Sequence, residues 1–201
     1  MSETSRAPTE ADDASVIERS WREPEAFAEV FRRHAPEIKR YVIRRLGIDA
    51  AEDVAAETFL AAFRQRERYD TARPDARPWL YGIATNLIGR HKRTEVRQLR
   101  VLARTGADPV TRPFTDRSDE RMSAEAVRQR LADALARLPA GHRDVLLLVT
   151  WGGLGYAEAA QALGIRVGTV RSRINRARSK MRKELGGVDP TSSLSEEPAR
   201  G

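Results

Sequence analysis

The chain has no cysteine, which excludes disulfides, a cysteine nucleophile and cysteine-ligated zinc. Histidine is scarce too: His34, His91 and His142 stand far apart without metal-ligand spacing, so neither a metal nor a cofactor is expected. Clustered carboxylates and an activated nucleophile are also missing, which argues against an enzyme. Aromatic residues make up only 6% and hydrophobic residues 40% of the 201 positions, so a single domain or two small ones would carry no large core. No run of about eighteen apolar residues exists to span a membrane, and the first residues lack the basic-then-apolar order of a secretory signal. A soluble, cytoplasmic protein without membrane insertion is the expectation.

Charge is abundant. Lysine and arginine number 36 against 29 acidic residues, a net charge of +7, and such a balance favours a polyanionic partner. The excess is most concentrated where acids are absent, between Arg166 and Lys183. The spacing predicts a short helix from Tyr156 to Leu163, a turn at Gly164-Ile165-Arg166 and a longer helix from about Val167, which is a helix-turn-helix. Val170, Ile174, Ala177, Met181 and Leu185 recur at steps of three and four and form its inner stripe. The other side presents Gly168, Thr169, Arg171, Ser172, Asn175, Arg176 and Ser179, a mixture of basic, small and hydroxyl residues suited to phosphates and base edges. An exposed helix built only for solubility would mix charge signs, since like charges repel.

Residues 1–23 show no sustained period and are expected to form a disordered N-terminal tail, with order beginning near Pro24. Helical spacing then runs through Phe27, Val30, Phe31, Ile38, Tyr41, Val42 and Leu46, interrupted or kinked at Pro36 and stopped at Gly47. A second helix is expected from about Asp49 to Arg66. Its start holds Asp49, Glu52, Asp53 and Glu57 without a positive residue. Acids in a first turn complement the helix dipole, and the same charges would suit docking to a basic protein; charge alone leaves both readings open.

Tyr69 to Pro78 reads as a loop, followed by a long helix from Trp79 to about Arg100. Leu80, Ile83, Ala84, Leu87 and His91 are expected on its buried side. Trp79, Asn86, Arg90, Arg93 and Arg97 share a second stripe. That stripe is either an ordinary solvated face with a core tryptophan or a surface for single-stranded nucleic acid, combining stacking, an amide and phosphate contacts. Residues 98–122 have linker composition. Helices are expected from about Met122 to Leu138 and from His142 to Trp151, the second despite a strand-like run at Val145–Val149, because a lone strand would lack a partner. Residues 187–201 read as a disordered tail.

Three blocks in this order resemble the bacterial RNA polymerase sigma factors of the compact extracytoplasmic-function (ECF) type. They are Ala51-Glu52-Asp53-Val54 with Glu57-Thr58-Phe59-Leu60, then Pro78 to Asn86, and finally Leu138-Pro139 through the helix-turn-helix to Arg178. The resemblance implies an all-α protein with two small helical domains joined by a flexible linker, the C-terminal one a helix-turn-helix domain. Residues 24–97 would bind the core polymerase and read and melt the minus-ten element; residues 123–186 would read the minus-thirty-five element.

It further implies core RNA polymerase as partner through Asp53 and Glu57. The melted non-template strand would lie on Trp79, Asn86, Arg90, Arg93 and Arg97, and duplex promoter DNA on Thr169, Arg171, Ser172, Asn175 and Arg176. An anti-sigma factor is a further partner common to the family. Two positions depart from the pattern: Arg90 stands where an acidic residue is frequent, and Arg166 where a small residue opens the recognition helix. The alternative is a helix-turn-helix regulator that binds duplex operators without acting as a sigma subunit.

Overall fold

The structure is a computed structural model; it describes residues 11–104, of which 95–104 by backbone only, and residues 129–185. Every regular element among the described residues is helical, and the chain divides into two compact units, Met1–Ile88 and Gly89–Gly201.

Order in the first unit begins earlier than the sequence predicts. Helix α1 spans Asp13–Arg19, and Asp12 caps it by accepting a hydrogen bond from Ser15 N at 2.8 Å. The expectation of a disordered tail to residue 23 is therefore corrected. At seven residues α1 is too short to show a period, yet it buries Val16 and Ile17 completely. Its far end is tied down by Arg66 Nε donating to Ser20 O at 3.1 Å and Trp21 Nε1 donating to Arg66 O at 3.2 Å. Pro24 opens a 3-10 turn, Pro24–Ala26, that leads into α2.

Helix α2, Phe27–Leu46, runs through Pro36 without a break and ends at Gly47, whose φ of 88° favours glycine. Pro36 lacks an N–H, but Val30, Ile38, Tyr41 and Val42 on both sides of it are buried, and that packing holds the helix continuous. Helix α3, Ala51–Arg64, lies against α2, with edge-to-face contacts between Phe27 and Phe63 (5.5 Å) and Phe31 and Phe59 (4.9 Å). A 3-10 turn, Arg66–Arg68, and a loop lead to α4, Arg77–Arg104.

In its first part α4 buries Leu80, Tyr81, Ala84, Leu87 and Ile88, while Ile83 is half-buried. His91, expected on the inner side, is exposed, because the apolar arc ends at Ile88. Residues 98–104, expected as linker, continue the α4 backbone, since no glycine or proline interrupts the chain before Gly106. The rest of the expected linker, the start of the helix near Met122 and the tail at 187–201 lie outside the described residues.

The second unit contains α5 (residues 129–136), α6 (Ala140–Thr150), α7 (Tyr156–Leu163) and α8 (Val167–Glu184). The Val145–Val149 run is helical, as its helical neighbours predict, and Val145, Leu146, Leu147 and Leu148 are buried. Ala134, Leu138, Leu146, Ala177 and Met181 form a core cluster bordered by Leu131, Leu135 and Leu185. Gly164, at φ 62° and ψ 36°, makes the left-handed turn between α7 and α8, and Ile165 N closes it on Ala160 O at 3.0 Å.

Candidate nucleic-acid and protein interfaces

Helix α8 turns Val170, Ile174, Ala177 and Met181 inward, as the periodicity predicts. Arg171, Ser172, Asn175 and Arg176 are thereby exposed on the other side, and Thr169 is half-exposed. The helix is preceded by Arg166 at its N-cap, whose side chain makes no capping hydrogen bond, while the Thr169 amide donates to Arg166 O at 2.9 Å. Ser172 Oγ donates to Thr169 O at 3.1 Å, which leaves its lone pairs free to accept. Lys180 is engaged instead within the unit: Nζ donates to Arg137 O at 2.7 Å, and Arg137 pairs with Glu184 at 2.5 Å.

Sequence spacing missed the α6 end of this surface. A β-carbon at Gly141 would lie 2.9 Å from a guanidinium nitrogen of Arg173, so the glycine makes room for that side chain. Burial, together with the nearby charges of Arg173, Arg176 and Lys180, pushes the His142 pKa below its ordinary value. His142 therefore joins the α8 cations without adding a charge near neutral pH.

The outer stripe of α4 has a mixed outcome. Asn86, Arg90 and Arg93 are exposed on a common face, and Arg93 extends back toward Gly89, 3.6 Å from where a β-carbon would stand. Trp79 is half-buried, its ring 4.9 Å from that of Tyr69 and tilted by 51°. It forms the wall at the start of the stripe rather than a free platform. The Arg97 side chain lies outside the described residues.

The loop before α4 is shaped by hydrogen bonds. Tyr69 Oη donates to Arg73 O (2.6 Å) and Asp75 O (3.1 Å), and Asp75 accepts from Arg77 N at 2.8 Å. Beneath it lies a charged cluster that no local pattern reveals. Asp13 is buried and meets His34 Nε2 at 2.7 Å, Arg33 at 3.1 Å and Ala76 N at 3.0 Å. Glu37 meets His34 Nδ1 at 2.9 Å and Arg77 Nε at 3.2 Å. Burial alone would lower the His34 pKa, but the facing carboxylates of Asp13 and Glu37 outweigh it and raise it to about 9. Burial would likewise raise that of Asp13, yet bonds from His34, Ala76 N and Arg33 bring it down to about 2.

On α3, Asp53 and Glu57 are exposed one turn apart, and neither makes a salt bridge within the described residues. Glu52 is already paired with Lys39 at 2.7 Å. Beside the two acids Leu60 is 47% exposed, and Phe31 on α2 is 48% exposed while touching Phe59. The sequence marks the acids but not these apolar neighbours, whose exposure depends on how α2 meets α3. An exposed acidic pair beside apolar side chains suits a basic, partly apolar partner surface. No grouping of three or more potential metal ligands occurs among the described residues, and none of their helices is long and apolar enough to cross a membrane.

Two family models match in succession: Sigma-70 region 2 over residues 30–98 and Sigma-70, region 4 over residues 128–181. The chain is 40% identical over 158 residues to the ECF RNA polymerase sigma factor SigL of Mycobacterium tuberculosis, covering 76% of this chain and 86% of that protein. It is 33% identical over 171 residues to the RNA polymerase sigma factor CarQ of Myxococcus xanthus, covering 82% and 92% respectively. Among solved structures, CnrH in complex with the cytosolic domain of CnrY superposes with a TM-score of 0.60 at 28% identity, covering 87% of this chain and 97% of that one. RpoE of Bartonella quintana, solved with the anti-sigma factor NepR, shares the fold with a TM-score of 0.58 at 22% identity, covering 81% and 98%.

Proposed function

The chain belongs to the ECF-type RNA polymerase sigma factors, which direct RNA polymerase to promoters, and from that premise we propose how its two units divide the task. In this reading the working parts are residues 24–97, with α1 added, and residues 123–186, although the compact units themselves divide at Ile88 and Gly89, within α4. The observation that supports it is the presence of two exposed faces of different chemistry on two different helices. One, on α4, is an amide with arginines beside an aromatic wall; the other, on α8, is a helix without an acid from Val167 to Lys183, with small and hydroxyl residues.

The α8 face suits duplex DNA. Its helix enters the major groove of the minus-thirty-five element with Arg171, Ser172, Asn175 and Arg176 nearest the bases or adjacent phosphates, and Thr169 at the groove edge. The α4 face suits a melted strand. Asn86 holds an extruded non-template base through its amide, Trp79 walls the site, and Arg90, Arg93 and Arg97 follow the phosphates. Bases leave the stack without any covalent bond being made or broken, so the chain acts as a binding subunit and not as an enzyme. Asp53 and Glu57 dock on a basic element of the core polymerase, with Leu60 and Phe31 adding apolar contact.

The site of action is the cytoplasm, where polymerase and promoter DNA meet. An anti-sigma protein is a further partner, by analogy with the NepR complex of a relative that shares the fold. The operator-binding regulator is disfavoured because region 2 and region 4 both match, in order.

Purified chain combined with sigma-free core polymerase and a genomic fragment library tests the proposal. Discrete promoter-dependent transcripts are expected, from promoters sharing an upstream and a downstream motif. Tight binding of the chain alone to duplex operators, with no such transcript, would refute it.

A further inference from the structure

Loop residues 70–76 lead into the strand-reading face, and their position is not set by the loop alone. Asp13 on α1 accepts from Ala76 N at 3.0 Å, and its own amide donates to Pro74 O at 3.1 Å. Both ring nitrogens of His34 face carboxylates, so the doubly protonated imidazolium satisfies Asp13 and Glu37 together. Glu37 then passes the connection to Arg77 in the first turn of α4. Charges alternate along this path from α1 through α2 to α4: Asp13, His34, Glu37, Arg77.

Ion pairs removed from water add little stability over apolar packing of the same volume. Holding α1 on α2 does not need them, because Val16, Ile17 and Ile38 beneath are already fully buried. What the carboxylate supplies, and an aliphatic side chain cannot, is a directional hold on the Ala76 amide.

We propose that Asp13 and His34 are positioning residues for strand reading: through Pro74, Ala76 and Arg77 they fix the loop and the first turn of α4, and so the pose of Trp79 and Asn86. This inference rests on the reading of α4 as the face for melted DNA. It makes α1 a working part of the downstream reading head.

The hold depends on pH through His34. The groups facing it are Asp13 from α1 and Glu37 from α2; Arg33 on α2 pairs with Asp13, Arg77 on α4 pairs with Glu37, and the loop residue Tyr69 feels the charges of Asp13 and Asp75. A raised histidine pKa means that the contribution is complete below the free-imidazole value of 6.5 and is lost as pH rises through about 9. Asp13 loses its contribution only as pH falls through about 2.

The test uses holoenzyme assembled from the full chain and its core polymerase, immobilised and used to partition randomised short single-stranded DNA at about pH 7 and about pH 9.5. Sequence enrichment by the wild type should fall several-fold between the two. His34→Gln keeps a donor toward Asp13 but has no proton to titrate; it should enrich less at the lower pH, show no fall on going to the higher one, and bind core polymerase as the wild type does. Equal enrichment by variant and wild type at the lower pH, or parallel pH profiles, would overturn the inference. A flat wild-type profile would do so without any variant. If the wild type enriches no sequence at either pH, the reading of α4 fails and this inference falls with it.

Discussion

The interiors of the two units are held together in opposite ways. The first uses buried charge and stacked rings: Asp13, His34 and Arg45 are all less than a tenth exposed, and Tyr41 meets Tyr81 edge-on at 5.1 Å. The second has an aliphatic interior of Leu, Val, Ile, Ala and Met, and none of its described charged side chains is buried as a whole. A helix entering a wide groove needs a stiff rod and a basic coat, which apolar packing provides. Capturing an unstacked base requires a loop and a helix start placed to within bond length, and directional bonds serve that better.

This contrast predicts where each unit breaks. Leu148→Ala in the fully buried interior of the second unit should destabilise it by about 2–5 kcal/mol, with no pH dependence near neutrality; urea unfolding followed through Trp151, with Trp21 and Trp79 replaced by phenylalanine, measures this. Reversing Asp53 and Glu57 to lysine together should weaken core-polymerase binding by about 100-fold, roughly 3 kcal/mol, with helicity by circular dichroism intact. Unchanged binding would return those acids to a helix-dipole role. Arg176→Ala should weaken upstream-element binding by about 1–3 kcal/mol and relax one base position if the contact is bidentate, whereas a uniform loss over all sequences would mark a phosphate contact.

The smallest effect separates the units by pH. His34 is raised, so the first unit should lose stability as pH climbs from 6.5 through about 9. His142 is lowered, so its unit binds fewer protons folded than unfolded and should lose stability as pH falls below 6.5. Melting monitored by fluorescence in Trp151→Phe, which keeps Trp21 and Trp79, isolates the first unit.

The second unit was the more legible in sequence because its logic is local. One stripe at steps of three and four, one glycine at the left-handed turn and one acid-free face each lie within a single element, and the structure places all three as expected. The first unit resisted where its logic is long-range. Nothing near Asp13 shows that its partners are His34 and Ala76, so α1 passed for a tail. The helical period points His91 inward, but the apolar arc stops at Ile88 and His91 is exposed. Pro36 signals a break that tertiary packing overrides. Among the candidate site residues, exposure could be inferred for Asn86, Arg90 and the α8 set, whereas the packing of Trp79 on Tyr69 required the fold.

In the proposed division of labour, the α4 face opens and reads DNA that the α8 face has located. Permanganate reactivity of promoter thymines, compared on a duplex and on a pre-melted version of the same promoter, tests it most directly with Asn86→Ala and Arg176→Ala holoenzymes. On the duplex both variants should show weakened reactivity, Asn86→Ala while keeping closed-complex binding. On the pre-melted template, whose thymines react without protein, holoenzyme binding is measured instead: Arg176→Ala should bind nearly as the wild type does, and Asn86→Ala should remain impaired. Equal rescue of both variants by pre-melting, or of neither, would contradict the division of labour.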